Sequence, residues 1–135
     1  MERLYAITRG RKIGIDVERI GRDLKGDAIA ERFFTPREVA MLRALPPDMQ
    51  TQGFFACWTR KEAYVKARGD GLSLPLDQFD VSVAPEEPAA LLHTKGDPSE
   101  ASRWSLKDLT PGPGYAAALA VEGDAWLLRC WQWRE

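Results

Sequence analysis

Apolar and polar residues alternate near the start of the chain and predict a β-hairpin. Its first strand is Leu4 to Thr8, its turn contains Gly10, and its second strand is Lys12 to Glu18. In the second strand a period of two places the aliphatic side chains on one face and Asp16 and Glu18 together on the other. Two carboxylates on one strand face repel each other unless a cation or a basic group lies between them. The pair therefore indicates either a cation site or a solvated outer face.

Capping signals and apolar periodicity predict two helices in the middle of the chain. Thr35 and Glu38 form a capping box around a proline, and the two prolines at 46–47 end the first of these helices. The second helix is expected to begin at Thr51 and to end at Gly69, which suits a C-terminal cap. Basic and acidic residues crowd its last turns, so this helix combines an apolar side with a charged end.

The second half of the chain has the pattern of strands separated by loops that contain proline and glycine. Strands are expected over Phe79 to Val83, Tyr115 to Val121 and Trp126 to Trp133. A short helix is also expected from Asp27 through Arg32. The order of hairpin, helices and antiparallel strands predicts an α+β fold, with an antiparallel sheet packed against two to three helices. The length of 135 residues is that of one domain covering 1–135.

Composition narrows the class of protein. Hydrophobic residues are 44% and charged residues 29% of the chain, and no apolar run approaches the roughly 20 residues that a membrane-spanning helix needs. The start of the chain lacks a signal-peptide pattern. Two cysteines are too few to predict a disulfide framework or a zinc site. We therefore expect a cytoplasmic protein with free thiols and no membrane partner.

Charge is distributed unevenly along the chain. Residues 1–70 carry a formal charge of +4 and residues 71–135 a charge of −5. This indicates a basic face for an anionic partner, such as a phosphate compound, an acidic protein or nucleic acid, unless the two sequence halves do not form separate faces. The C-terminal tryptophans are not interleaved with basic residues as a nucleic-acid platform requires, so no nucleic-acid partner is expected.

One constellation of residues suggests chemistry. Glu62 and Lys66 are four positions apart on a predicted helix and share a face with Trp58. Alone, such a pair is an ordinary surface ion pair worth a few tenths of a kcal/mol. Together with the strand carboxylates Asp16 and Glu18, it is typical of a site for Mg²⁺ and phosphate, because hard Mg²⁺ prefers oxygen ligands and lysines neutralise the remaining phosphate charge.

These motifs resemble the signature of the 4'-phosphopantetheinyl transferases, and most of all the C-terminal half of the surfactin-synthetase-activating type. The resemblance runs from about residue 4 to the end of the chain. The two principal motifs are Gly14-Ile15-Asp16-Val17-Glu18 and Trp58-Thr59-Arg60-Lys61-Glu62-Ala63-Tyr64-Val65-Lys66. Supporting matches are Phe33-Phe34-Thr35-Pro36-Arg37-Glu38, Gly69-Asp70-Gly71-Leu72-Ser73-Leu74-Pro75-Leu76 and Gly114-Tyr115-Ala116-Ala117-Ala118.

The resemblance implies an enzyme that moves the phosphopantetheine arm of coenzyme A, its co-substrate, onto a serine of an acyl or peptidyl carrier protein. It also implies roles for individual residues. Asp16, Glu18 and Glu62 would hold Mg²⁺ against the pyrophosphate, and Lys66 would contact the phosphates. Lys61 is a weaker candidate for the same task as Lys66. Glu62 would also take the proton from the incoming serine, directly or through a metal-bound water, so that Glu62 and Lys66 are the expected catalytic residues.

The chain departs from the two-half members of that family because it resembles their C-terminal half alone. It is expected to be a truncated product or to use a second copy of itself, as a dimer or trimer. The alternative is a catalytically incompetent half-domain remnant that keeps the fold and binds a carrier protein or metal. A third interpretation is an oligomeric binding module with solvated carboxylates. Cys57 is expected to be a buried packing residue, and His93 a surface residue.

Overall fold

The fold is built from five strands and four α-helices in the part of the chain that the structure describes. The computed structural model describes residues 5–21, 26–69, 74–123 and 128–129. The strands are Ile13–Arg19 (β1), Phe79–Val81 (β2), Leu91–Thr94 (β3), Trp104–Leu109 (β4) and Tyr115–Glu122 (β5). The helices are Gly26–Phe33 (α1), Pro36–Ala44 (α2), Gln50–Arg68 (α3) and Glu100–Arg103 (α4).

Two antiparallel sheets result. The first has the strand order β1-β5-β4, and the second pairs β2 with β3. In the first sheet Asp16 of β1 is opposite Ala118 of β5, and Asp108 of β4 is opposite the same alanine. Directly opposed residues of an antiparallel sheet share a face, so the two aspartates lie in one row on one face of the sheet.

Helix α3 packs on the face of the first sheet that carries this row. Gly14 makes the close approach possible, because a Cβ atom there would lie 2.3 Å from the carbonyl oxygen of Ala63 and 2.3 Å from the amide nitrogen of Ala67. Ala118 and Ala120 of the central strand are also completely buried in the same core. Small side chains on both elements therefore set a short distance between the helix and the sheet.

The ends of α2 and α3 are determined by local chemistry. The side chain of Thr35 accepts a hydrogen bond from the amide of Glu38, and the Glu38 carboxylate accepts one from the amide of Thr35, which is a complete capping box. Helix α3 ends at Gly69, whose φ of 72° is in the left-handed region that favours glycine. Both helices lie where the sequence predicts them, and α3 begins one residue earlier than expected.

The α+β fold is confirmed, with antiparallel strands packed against helices. The predicted hairpin is wrong in its first strand, because the described residues 5–12 form no strand. Tyr5 and Ile7 are 80% and 93% exposed, so a strand there would bury too little apolar surface to be stable. The strands β3 and β4 were not predicted. The strand expected over Trp126 to Trp133 lies outside the described residues, apart from Leu128 and Arg129, which are not in a strand.

Candidate active site

Asp16 is the most enclosed of the predicted site residues. Its side chain is 5% exposed because β1 presents it to α3 rather than to solvent. Its Oδ1 accepts a hydrogen bond of 2.6 Å from the Nζ of Lys66, and its Oδ2 is buried without a hydrogen-bond partner among the described residues. The interpretation of this face as a solvated one is therefore wrong for Asp16. A buried carboxylate oxygen without a partner is energetically costly, and a bound cation would relieve that cost.

Lys66 reaches Asp16 from the last turns of α3. Its side chain is 52% exposed, so the ammonium bridges the buried carboxylate and solvent. The lysine carries its ammonium on a flexible four-carbon stem, whereas the aspartate is fixed in the packed strand.

Glu62 lies one helical turn before Lys66 and is half-buried. Burial raises the pKa of Glu62, the nearby negative charge of Asp16 raises it further, and the Lys66 ammonium partly offsets both effects. The charges of Asp16, Glu62 and Lys66 therefore interact with one another between β1 and α3. Three of the predicted site residues are therefore gathered at one place.

An apolar groove of about 360 Å³ borders Glu62. Arg32 and Asp77 add charged groups to its lining. Most of the apolar lining comes from α1, α3 and the segment after α3, through Phe33, Trp58, Val65, Leu74 and Leu76. This groove was not predicted from the sequence, although the spacing of Trp58 and Glu62 on one helix face was a signal for it.

The donor atoms at this place suit a hard cation. Asp16 offers the unpartnered oxygen, and Glu18 lies two residues further on the same strand face, half-buried. Within the described ranges, no three His, Cys, Asp or Glu side chains form a group that could hold a metal ion. The predicted set of Asp16, Glu18 and Glu62 is thus not a closed metal cage. Mg²⁺ commonly binds through one or two carboxylates and completes its shell with water and substrate phosphate, so the residues present fit it.

Lys61 is not at this site. Its side chain is 0% exposed, and its Nζ donates to both carboxylate oxygens of Glu38, at 2.7 and 2.8 Å, and to the carbonyl oxygen of Phe79. The Glu38 carboxylate also accepts from the amide of Val81. An ammonium enclosed in this way cannot meet a phosphate that arrives from solvent. We therefore correct the expectation that Lys61 contacts the phosphates, because its role here is to join α2, α3 and β2.

Arg60, the residue before Lys61, is likewise a structural residue. Its guanidinium is 0% exposed and donates to both oxygens of Asp108, at 3.0 and 2.7 Å. It also donates to the carbonyl oxygens of Ser82, Ala84 and Glu87. The arginine therefore fixes α3 to β4 and to the loop that follows β2.

The other candidate residues are where the sequence predicts them. Cys57 is completely buried, and burial raises the pKa of its thiol well above the usual value, with a smaller contribution from Glu38. His93 is exposed, and its Nδ1 lies 3.8 Å from a carboxylate oxygen of Asp80. None of the described helices combines the length and the apolar character that a membrane crossing requires.

Comparison with known proteins gives consistent matches. The family model of the 4'-phosphopantetheinyl transferase superfamily matches residues 12–120. The 4'-phosphopantetheinyl transferase HetI of Nostoc sp. is 39% identical over 130 residues, which are 96% of this chain and 52% of HetI. The 4'-phosphopantetheinyl transferase Sfp of Bacillus subtilis (strain 168) is 37% identical over 114 residues, covering 81% of this chain and 46% of Sfp. The chain spans about half the length of these curated relatives.

The fold also matches solved structures. The ACPS–CoA complex of Chronobacterium ammoniagenes superposes with a TM-score of 0.59 at 20% sequence identity. The superposition covers 86% of this chain and 99% of that chain, so the two proteins share a fold over nearly the whole of the solved structure.

Proposed function

Since this chain belongs to the 4'-phosphopantetheinyl transferase superfamily, we propose that it transfers the 4'-phosphopantetheine group of coenzyme A to a serine of an acyl or peptidyl carrier protein. The serine oxygen attacks the phosphorus that bears the pantetheine arm, the bond from that phosphorus to the adenosine-bearing phosphate breaks, and adenosine 3',5'-bisphosphate leaves. One observation carries the proposal: β1 and α3 place a buried carboxylate, a half-buried carboxylate and an ammonium together at Asp16, Glu62 and Lys66. Phosphoryl transfer depends mainly on such positioning and charge stabilisation.

Glu62 is the base in this proposal. It takes the proton of the serine hydroxyl as the oxygen attacks. In the metal-free protein, burial and the charge of Asp16 raise the pKa of Glu62. Glu62 also borders the apolar groove, so a serine delivered there meets a partly desolvated carboxylate.

Lys66 is the cation that contacts the phosphates. Its half-exposed ammonium can turn from Asp16 towards an incoming pyrophosphate and stabilise the charge that accumulates on the leaving nucleotide. Asp16, Glu18 and Glu62 would hold Mg²⁺, which, when bound, neutralises part of the pyrophosphate charge. The excess of basic residues in positions 1–70 suits an acidic carrier protein.

A second copy of the chain is proposed to complete the site, in a dimer or trimer. The chain spans about half the length of its curated relatives. The sheet face away from α3 carries Ile13, Ile15 and Val17, which are only half-buried, and Tyr5 and Ile7 are exposed. These apolar side chains are available to another copy. A cytoplasmic location, without nucleic-acid or membrane partners, stays a prediction.

The test is to incubate the chain with coenzyme A, Mg²⁺ and apo carrier proteins and to weigh the carriers by mass spectrometry. We expect one phosphopantetheine group on the serine of at least one carrier. Glu62→Gln should abolish the transfer, whereas Glu86→Gln, at an exposed position away from Asp16 and Lys66, should not. No mass gain on any carrier would contradict the proposal.

Two further measurements separate the proposal from a remnant without activity. Calorimetry with coenzyme A and Mg²⁺ should show binding that is lost in Glu62→Ala, and a remnant would give no heat. Light scattering should show a dimer or trimer, with or without coenzyme A. A strict monomer would favour the remnant.

A further inference from the structure

We infer that Lys66 blocks the cation site of the empty protein, so that a divalent metal and the phosphates of the substrate bind cooperatively. In this arrangement the ammonium holds the carboxylate that the metal would use. The inference rests on the proposed function in that it takes Asp16 to be a metal ligand. It adds to that function an order of events and a coupling between two ligands.

In the metal-free protein, the carboxylate of Asp16 is already bound to the ammonium of Lys66. Lys66 Nζ lies 2.6 Å from Oδ1, and the carboxylate is 5% exposed, so the ammonium is the cation that compensates a nearly buried charge. Oδ2 is buried and has no hydrogen-bond partner within the described residues. A divalent ion on Oδ2 would lie only a few ångströms from the ammonium on Oδ1, and the two cations would repel each other. Metal binding therefore requires Lys66 to move.

Lys66 is the partner able to move. Its side chain is 52% exposed, whereas Asp16 is held in β1, where Gly14 packs directly on the backbone of α3. A phosphate group offers the ammonium a new anionic partner in solvent. When phosphate draws the lysine away, Asp16 loses its compensating charge and gains affinity for a divalent ion. By linkage, the metal must raise the affinity for the phosphate ligand by the same factor.

The first experiment measures Mn²⁺ binding by electron paramagnetic resonance, without any substrate. Lys66→Met keeps the length of the side chain and removes the ammonium. We expect it to bind one Mn²⁺ at least about tenfold more tightly than the unsubstituted chain, because the pair it removes is half desolvated. Lys95→Met, at an exposed position on the loop after β3, is the matched control and should leave Mn²⁺ affinity unchanged.

The second experiment tests whether a metal displaces Lys66 from Asp16, as opposed to responding only to the removal of one positive charge. An amine-reactive reagent such as acetic anhydride modifies lysines faster when their amines are not held in an ion pair. Mass spectrometry measures the extent of modification at each lysine. Saturating Mg²⁺ should increase the labelling of Lys66 at least about twofold, because the metal releases the ammonium from Asp16. In Asp16→Asn the labelling should be high and independent of Mg²⁺. Lys95 serves as the internal control in each sample.

The outcomes distinguish this inference from the proposed function. If Mn²⁺ binds to the unsubstituted chain as tightly as to Lys66→Met, and Mg²⁺ leaves Lys66 labelling unchanged, the blocking role is refuted while transfer activity stands. If Lys66→Met also binds no Mn²⁺, the blocking role is refuted as well. The absence of phosphopantetheine transfer to any carrier would count against the proposed function alone.

Discussion

Gly14→Ala is the substitution that tests most directly how closely β1 and α3 approach. The added Cβ atom would lie 2.3 Å from the Ala63 carbonyl oxygen, 2.3 Å from the Ala67 amide nitrogen and 2.8 Å from the Ala67 Cα atom. All three are backbone atoms of α3, so no side chain can rotate away. To reach an ordinary contact of about 3.5 Å, the strand and the helix must separate by about 1 Å.

The expected loss of stability follows from two opposing contributions. Overpacking of this kind costs about 1–3 kcal/mol. The loss of backbone freedom in the unfolded chain returns about 0.4–1 kcal/mol when glycine becomes alanine. We therefore expect Gly14→Ala to lower the free energy of unfolding by about 1 kcal/mol, the difference between the two contributions. Urea titration followed by tryptophan fluorescence measures it as a lower midpoint at an unchanged m-value.

Gly112→Ala is the matched control, because no atom lies within 4 Å of the added carbon and Gly112 is not among the glycines with positive φ. Without a clash, it should raise the free energy of unfolding by about 0.4–1 kcal/mol through the lost freedom of the unfolded chain. Equal urea midpoints for the two variants would refute a close approach of β1 to α3 at Gly14. A lower midpoint accompanied by weaker Mn²⁺ binding in Gly14→Ala would further connect the packing distance to the position of Asp16.

Three other predictions concern buried groups. Lys61→Met should lower the free energy of unfolding by about 3–5 kcal/mol because it leaves the Glu38 carboxylate without its cation, and restored stability in Glu38→Gln/Lys61→Met is the check on that cause. A loss below about 1 kcal/mol in the single variant would contradict the burial of this pair. Burial raises the pKa of Cys57, so in a Cys130→Ser background the native chain should not react with a disulfide reagent at about pH 8, but should react fully in urea; prompt native labelling would be inconsistent with it. Burial and a neighbouring glutamate raise the pKa of Tyr64, so the folded state retains a proton that the unfolded state loses above about pH 10, and stability should fall there. Tyr64→Phe should make unfolding midpoints between about pH 9 and 11 less dependent on pH, and equal slopes would count against it.

Helices α1, α2 and α3 could be predicted from the sequence almost to the residue because their signals are local, whereas the short helix α4 was not predicted. Thr35 and Glu38 are three positions apart and satisfy each other's backbone groups, whatever the rest of the chain does. Gly69 ends α3 by its own backbone conformation. The spacing of Glu62 and Lys66 likewise places both on one helix face without reference to other elements.

What could not be predicted depends on partners that are distant in the sequence. Lys61 and Lys66 are the same residue type on the same helix, yet one is enclosed by Glu38 and the other reaches solvent at Asp16. No local pattern distinguishes them, since the difference arises only when α2 and β1 pack on different sides of α3. In β1, the period of two separates the two faces of the strand. It does not indicate that the acidic face, which carries Asp16, packs against a helix.

The row of residues that crosses the first sheet connects α3 to both edge strands, through one buried and one half-exposed basic side chain. At one edge strand, Asp108 binds the completely buried Arg60, and Arg60 also donates hydrogen bonds to three carbonyl oxygens. At the other edge strand, Asp16 binds a lysine that is half in solvent. The connection of α3 to β4 therefore depends on an enclosed cation, and its connection to β1 depends on a cation in contact with solvent.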